Sequence, residues 1–325
     1  MPVDTSIFKA YDVRGTVPEQ LNADVAYRIG YHLAGLLKPN SIAVGRDMRL
    51  SSEELFDGLT RGINDYGVDV IDLGLTSTDG LYFAVGKFGY DGGVMITASH
   101  NPKDYNGFKI CRAGAEPLSG QDGLNDIRDR LLDDAQMAKS PSRGVIVRKD
   151  ITQAYAEHCL SFINPNKIKP YKIVIDAGNG MAGATLPPVL GRLPLEVIKL
   201  YFDLDGRFPN HPASPIEPEN LEDVKRAIAE YKADFGAAFD GDADRMFLVD
   251  RFGRQVGGDI ATALVAQSIL AKHPGETILY NLICSRAVPE LVERLGGKAV
   301  RTRVGHALIK PLMKKHNAVF GGEHS

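Results

Sequence analysis

Cysteine is scarce in this chain: three among 325 residues, Cys111, Cys159 and Cys284, far apart and with no Cys-x-x-Cys pair. That excludes a disulfide framework and a zinc–thiolate site and fits reduced thiols. A surplus of one charge is also missing. The 38 Lys and Arg nearly balance 41 Asp and Glu, for a formal net charge of −3. No basic field draws the chain to nucleic acid or to an anionic membrane. No apolar run reaches the ~18 residues of a membrane span, and Met1-Pro2-Val3-Asp4 lacks the basic-then-apolar order of a secretion signal. The 34 glycines and 18 prolines follow no period, and 44% of residues are hydrophobic, which excludes collagen-like and disordered chains. The expectation is a soluble, cytoplasmic globular protein of about two domains by length alone.

Short β-branched runs alternate with amphipathic stretches, the pattern of an α/β fold, and the pattern repeats. Ser41-Ile-Ala-Val-Gly-Arg-Asp47 reads as a strand, followed by a helix from Ser51, with Ser51 and Glu54 at capping-box spacing, and a strand over 68–73. Tyr171-Lys-Ile-Val-Ile-Asp176 opens the same series, with a helix over 183–190 and a strand over 196–202. Thr277-Ile-Leu-Tyr-Asn281 opens it again, with a helix over 289–295 and a strand over 298–304.

Each unit then delivers a third apolar run ending abruptly in polar residues: Gly93-Val-Met-Ile-Thr-Ala-Ser-His-Asn-Pro102, Phe235-Gly-Ala-Ala-Phe-Asp-Gly-Asp-Ala-Asp-Arg245 and Ala318-Val-Phe-Gly-Gly-Glu-His-Ser325. Ligands of open α/β sheets bind beyond the carboxyl ends of strands, so three such endings in register predict one site assembled between units. Linkers are expected over 133–142, before a helix over 151–162, and at Arg251-Phe-Gly-Arg254, before an apolar helix over 259–272. The resulting units are 1–142, 143–252 and 253–325.

Among the motifs, Thr97-Ala-Ser-His-Asn-Pro102 surrounds Ser99 with small and turn-forming residues that expose its hydroxyl; the ring of His100, the next residue, is expected on the other side of the chain, from where it can still help a proton move at Ser99. It is not the Gly-x-Ser-x-Gly of a serine hydrolase, and an ordinary turn serine is the competing reading. Asp240-Gly-Asp-Ala-Asp-Arg245 carries more information. Three carboxylates on one side of an extended loop repel by roughly 3 kcal/mol per pair at about 5 Å and an effective dielectric near 20. A hard divalent cation removes that cost. An EF-hand is excluded, since its sixth and twelfth positions would be Arg245 and Arg251 rather than Gly and Glu. A solvated acidic turn is the alternative.

Gly178-Asn-Gly-Met-Ala-Gly183 matches Gly-x-Gly-x-x-Gly, with Asp203 near the end of the next strand, and opens a dinucleotide-binding alternative. Asp176 and Ala177 separate the strand core from the first glycine, which favours a tight strand-to-helix turn. Tyr11, Arg14, Arg46, Lys109 and His306 together offer mainly cations to a site whose other contents are anionic.

The sequence strongly resembles the α-D-phosphohexomutases, the phosphomannomutase/phosphoglucomutase family. The resemblance runs along the whole chain and is carried by Phe8-Lys-Ala-Tyr-Asp-Val-Arg-Gly15, Thr97-Ala-Ser-His-Asn-Pro102, Asp240-Gly-Asp-Ala-Asp-Arg245, Val304-Gly-His306 and Gly322-Glu-His-Ser325. It implies three related mixed-sheet α/β domains and interconversion of hexose 1- and 6-phosphates, of mannose or glucose, with Mg²⁺ as cofactor and a hexose 1,6-bisphosphate as intermediate and activator. It implies that Ser99 is the phosphoserine and that Asp240, Asp242 and Asp244 hold Mg²⁺ together with a phosphoserine oxygen. Tyr11, Arg14, His100, Asn101 and Lys109 fall around the phosphoserine, Arg245 follows the metal loop, His306 lies in a substrate-facing loop, and Glu323 and Ser325 read the sugar. Two departures stand out. Ile283 occupies a position where many relatives carry lysine. The fourth, phosphate-binding domain and the end of the third do not follow Ser325, so poor turnover is expected of the chain as given. A non-catalytic sugar-phosphate-binding fragment is the second reading, and a dinucleotide-dependent oxidoreductase the third.

Overall fold

The computed structural model describes residues 3–133 and 137–324. Its strands are β1 (Val13–Thr16), β2 (Ser41–Arg46), β3 (Asp69–Leu75), β4 (Gly92–Ile96), β5 (Tyr105–Arg112), β6 (Glu116–Pro117) and β7 (Ile146–Arg148) in a first sheet. A second sheet holds β8 (Lys172–Asp176), β9 (Glu196–Leu200), β10 (Phe235–Phe239), β11 (Met246–Asp250) and β12 (Gln255–Val256). The third holds β13 (Thr277–Asn281), β14 (Lys298–Thr302) and β15 (Ala318–Gly322).

The repeat expected from the sequence is visible in the strand order. Parallel neighbours run β4-β2-β3 in the first sheet, β10-β8-β9 in the second and β15-β13-β14 in the third. An antiparallel strand, β5 or β11, flanks the first member of each of the first two sets. Because β4, β10 and β15 hold the same place in their sheets, the loops after them leave equivalent carboxyl edges. Those loops begin with Thr97, Asp240 and Glu323.

Side-chain alternation with period two explains why these strands sit in the middle. Ile42, Val44, Val94 and Ile96 join one core, with Ile29 and Leu33 of α1 (Ala23–Leu37) and Leu55, Leu59 and Ile63 of α2 (Ser52–Tyr66). Ala43 and Met95 face the opposite core, with Leu81, Ala84 and Val85 of α3 (Thr78–Phe88). In the second unit Val174 and Ala238 face Val224, Ala227 and Ile228, while Ile173, Ile175 and Ala237 face Leu186 and Leu190. Helix starts follow local chemistry: Asn22 accepts from the amides of Asp24 and Val25, and Ser77 from that of Gly80.

Some local expectations change. The capping box at Ser51 does not form; Ser51 has helical dihedrals, and its hydroxyl accepts from Asn106 Nδ2 at 2.9 Å instead. The helix expected over 183–190 is two short ones, Ala182–Thr185 and Pro187–Leu190, because Pro187 and Pro188 supply no amide to continue the first. Arg251-Phe-Gly-Arg254 is the turn joining β11 to β12, its amides at Phe252 and Arg254 donating to Asp250. β7 pairs with β3, so residues 146–148 belong to the first sheet. Part of the 133–142 stretch lies outside the described residues. Among the described residues no helix is long and apolar enough to cross a membrane.

Candidate active site

The loop after β4 holds Ser99 in a left-handed conformation, φ +53°, which costs a non-glycine residue roughly 1 kcal/mol. The surrounding bonds over-determine it. The Ser99 amide donates to Thr97 Oγ1 at 2.8 Å and the Asn101 amide to the Ala98 carbonyl at 3.0 Å. Arg49 supplies the rest. Its buried guanidinium donates to the carbonyls of Ser99 (2.9 Å), Asn101 (2.7 Å), Pro102 (2.6 Å) and Tyr105 (2.9 Å), and pairs with buried Asp47 at 3.2 Å. Replacing Arg49 with methionine removes a donor from four carbonyls and the cation paired with buried Asp47, which keeps the Ser52 hydroxyl and the residue 49 amide. We expect a loss of about 3–5 kcal/mol by urea unfolding, with little rescue by lysine, whose ammonium cannot fork to four acceptors. Stability within 1 kcal/mol of the parent, by the same measurement, would refute this role.

The loop after β10 brings Asp240, Asp242 and Asp244 together, with one carboxylate oxygen from each within 4.8 Å of the others. Glycine is required at two contacts. A Cβ on Gly241 would lie 2.5 Å from the Ser99 carbonyl oxygen, and one on Gly180 would lie 2.7 Å from that of Gly241. The turn at Gly178 and Asn179, φ +53° and +57°, therefore buttresses the aspartate loop, and the Met181 amide donates to the Gly241 carbonyl at 2.9 Å. This is the tight-turn reading of the glycine motif, not the dinucleotide one.

The two loops meet at Ser99, whose hydroxyl donates to Asp240 Oδ2 at 2.7 Å and accepts from Arg245 Nη2 at 2.6 Å. Arg245 also donates from Nε to Asp240 Oδ2 at 3.0 Å and from Nη2 to His100 Nδ1. His100 Nδ1, the acceptor of that bond, lies 3.3 Å from Ser99 Oγ. Burial, with Arg245 and Arg14 nearby, lowers His100 to about 4 and keeps the ring neutral near pH 7. Lys109 Nζ reaches from β5 to Asp242 Oδ2, at 2.7 Å, and to Asp244 Oδ2.

The carboxylates still outnumber what these cations satisfy. Burial and the charges of Asp242 and Asp244 push Asp240 above its ordinary value. Burial alone would also raise Asp242, but Lys109 and the Thr78 hydroxyl outweigh it and hold the group well below its ordinary value. Asp242 Oδ1 is buried with no hydrogen-bond partner. An unpaired buried carboxylate oxygen beside two further aspartates suits a hard divalent cation. Three protein oxygens leave coordination positions for phosphate oxygen and water.

Above the loops lies a cleft of about 340 Å³ walled by all three units. Tyr11, Arg14, Ser99, His100 and Lys109 come from the first, Asp244 and Arg245 from the second, and Val304, Gly305 and Glu323 from the third. Glu323 is oriented by the Gly305 amide, 2.7 Å from Oε1, and by Asn281 Nδ2 at 3.3 Å. Asn101 does not line the cleft; its Oδ1 accepts from Arg14 Nη1 at 2.7 Å and so steadies that guanidinium.

His306 begins α11 (His306–His316) directly after Gly305, but its side chain and all of Ser325 lie outside the described residues. Arg46 does not join the site. It pairs with Asp72 at 2.8 Å and Glu53 at 2.7 Å and stacks on Phe56. Ile283 is exposed and is not part of the cleft wall.

Sequence reasoning missed Arg49, Thr78, Asp79, Tyr82 and Lys310. Thr78 Oγ1 donates to Asp242 Oδ2 at 2.6 Å across 164 positions of sequence. Asp79, Tyr82 and Lys310 line the cleft, with Lys310 Nζ 3.7 Å from the Tyr82 ring centre. Of these, only Arg49 had a usable signal, two residues beyond the Asp47 that directly follows β2.

Comparison with known proteins agrees with this geometry. Family models for phosphoglucomutase/phosphomannomutase alpha/beta/alpha domains I, II and III match residues 5–137, 153–253 and 257–325. The chain belongs to the phosphoglucomutase/phosphomannomutase family, and its activity is that of a phosphohexomutase, an isomerase. It is 42% identical over 325 residues to a phosphomannomutase of Salmonella montevideo, covering 98% of this chain and 71% of that protein. It is 44% identical to a phosphohexose mutase of Xanthomonas campestris at the same coverages. Among solved structures, a phosphoglucomutase/phosphomannomutase family protein of Burkholderia thailandensis superimposes with a TM-score of 0.92 at 35% identity, over 99% of this chain and 71% of that one.

Proposed function

We propose that the cleft interconverts the 1- and 6-phosphates of mannose or glucose through a phosphoserine at Ser99 and a bound 1,6-bisphosphate. The observation that carries this reading is the meeting of Ser99 Oγ with Asp240 Oδ2 and Arg245 at the floor of a three-unit cleft. In the first transfer a sugar hydroxyl oxygen bonds to phosphorus as the Ser99 Oγ–P bond breaks. The sugar hydroxyl gives up its proton, and Ser99 Oγ takes one back. In the second, Ser99 Oγ attacks the other phosphate of the bisphosphate, losing that proton, and the sugar oxygen released is reprotonated. Asp240 Oδ2, which accepts the serine proton at rest, and His100 Nδ1 are the atoms that handle it.

Phosphoserine carries about −1.5 to −2 charges, which three carboxylates alone would repel. Asp240, Asp242 and Asp244 would hold Mg²⁺, which when bound would supply the compensating charge for phosphoryl transfer. Arg14, Lys109 and Arg245 add fixed positive charge, and Asn101 holds Arg14 in place. Glu323, with Oε1 already bonded, keeps its second oxygen for a sugar hydroxyl. Tyr11 and the His306 and Ser325 positions complete the sugar side. The transfer needs water kept from the site, since water would otherwise take the phosphoryl group. A hexose 1,6-bisphosphate serves as activator by loading free Ser99. The reducing cytoplasm suits Cys111, Cys159 and Cys284, all unpaired in the fold.

Incubation with Mg²⁺ and glucose 1,6-bisphosphate, followed by intact mass and phosphopeptide mapping, tests the reading. One phosphate on Ser99 is expected. A folded, Mg²⁺-bound chain that takes no phosphate, or takes it elsewhere, would overturn it.

A further inference from the structure

Asp242 differs from its two neighbours in what holds it. Asp240 is bonded to Ser99 and Arg245, and Asp244 to Lys109, all groups that the proposed transfer uses. Asp242 Oδ2 receives Lys109 and, in addition, the neutral hydroxyl of Thr78 at 2.6 Å. Thr78 is fully buried and is the first residue of α3, just after the Ser77 cap. Its own amide donates to the Asp242 carbonyl at 3.2 Å. One residue of the first unit thus grips both the main chain and the side chain of a residue of the second. With two donors on Oδ2, rotation of the carboxylate is blocked, and the oxygen left over is Oδ1, buried and without a partner.

From this arrangement we infer that Thr78 is a positioning residue for the divalent cation: its hydroxyl fixes the Asp242 carboxylate so that Oδ1 is presented to the metal. The inference rests on the reading of Asp240, Asp242 and Asp244 as the Mg²⁺ site. A hydroxyl suits this role because it orients the carboxylate without adding a positive charge that would compete with the cation. Outer partners of metal ligands act in this way generally, and their loss weakens metal binding by about 10- to 100-fold.

The test is Mn²⁺ binding by electron paramagnetic resonance, with Mg²⁺ as competitor, on the parent protein, Thr78→Val and Thr78→Ser. Valine keeps the volume and removes the donor; serine restores the donor. The parent and Thr78→Ser are expected to hold one Mn²⁺ with similar affinity. Thr78→Val should bind about 10-fold or more weakly and regain most of its turnover at saturating Mg²⁺. Thr78→Ala provides the same comparison if the valine variant does not fold by circular dichroism. Unchanged affinity in Thr78→Val, or an equal loss in Thr78→Ser, overturns the inference while leaving the metal site intact. A parent protein that binds no Mn²⁺ overturns the metal site and this inference with it.

Discussion

Ser99→Ala should lower mutase turnover by about 10⁴-fold or more and abolish incorporation of phosphate from glucose 1,6-bisphosphate. The magnitude follows from the removal of a covalent intermediate, which leaves no lower-barrier route between the two positions of the sugar. The fold should persist, because the methyl group of alanine fits where the Cβ of serine sits and the Arg49 bonds go to carbonyls rather than to the hydroxyl. A coupled assay with mannose 1-phosphate or glucose 1-phosphate and an intact-mass measurement check both halves. Full turnover in this variant would remove Ser99 from the mechanism. Sugar-phosphate binding should survive, since Arg14, Lys109 and Glu323 are untouched.

Lys109→Met is expected to have the next largest effect, and it reads the electrostatics directly. Lys109 is buried and bridges Asp242 and Asp244, and burial, which would lower it, is outweighed by Asp242, Asp244 and Asp240, so it stays protonated. Methionine keeps the apolar stem but removes the charge, leaving three carboxylates opposed mainly by Arg245. We expect a loss of about 3 kcal/mol in Mg²⁺-free urea unfolding. Added Mg²⁺ should stabilise the variant more than the parent at concentrations that saturate both, since in Mg²⁺-free buffer the variant carries the larger uncompensated charge.

The sign with pH is fixed by Asp242. Its folded value lies below the ordinary carboxylate value, so its share of stability is present above about pH 4 and is lost as pH falls further. The gap between parent and variant should therefore narrow below about pH 4. Turnover should drop about 100-fold even at saturating Mg²⁺. Parent-like stability without Mg²⁺ would show that Lys109 does not neutralise the triad.

Much of this protein follows from the chain read alone, and periodicity is the reason. Ile42-Ala43-Val44 and Val94-Met95-Ile96 are unbroken apolar runs because each strand is covered on both faces, successive side chains entering opposite cores. That pattern marks strands, and its recurrence near 171 and 277 marks three units. The aspartate loop was legible because its three carboxylates are neighbours in sequence, so their mutual repulsion needs no knowledge of the fold. Ser99 was legible by its turn-forming neighbours and by family resemblance.

Other features depend on contacts distant in sequence, which no local pattern records. Arg46 and Arg49 are three residues apart and look alike as cations, yet Arg46 faces Asp72 and Glu53 while Arg49 turns to the Ser99 loop. The difference is their place in the fold: Arg46 is the last residue of β2, and Arg49 lies in the loop beyond it. The capping box at Ser51 has the right letters, but Asn106, 55 positions away, takes the hydroxyl. The glycines at 178 and 180 match a cofactor motif, and only the structure shows their use: Gly178 takes a positive φ and Gly180 admits the close approach of Gly241.

The sequence by itself determined the repeat, the class of fold and the chemical groups of the site, because secondary structure and charge repulsion act between near neighbours along the chain. Tertiary structure alone decided which groups meet: Ser99 with Asp240, Lys109 with Asp242 and Asp244, and Thr78 with Asp242. Those pairings join residues 133 to 164 positions apart, and only the packing of one unit against the next brings them within bonding distance.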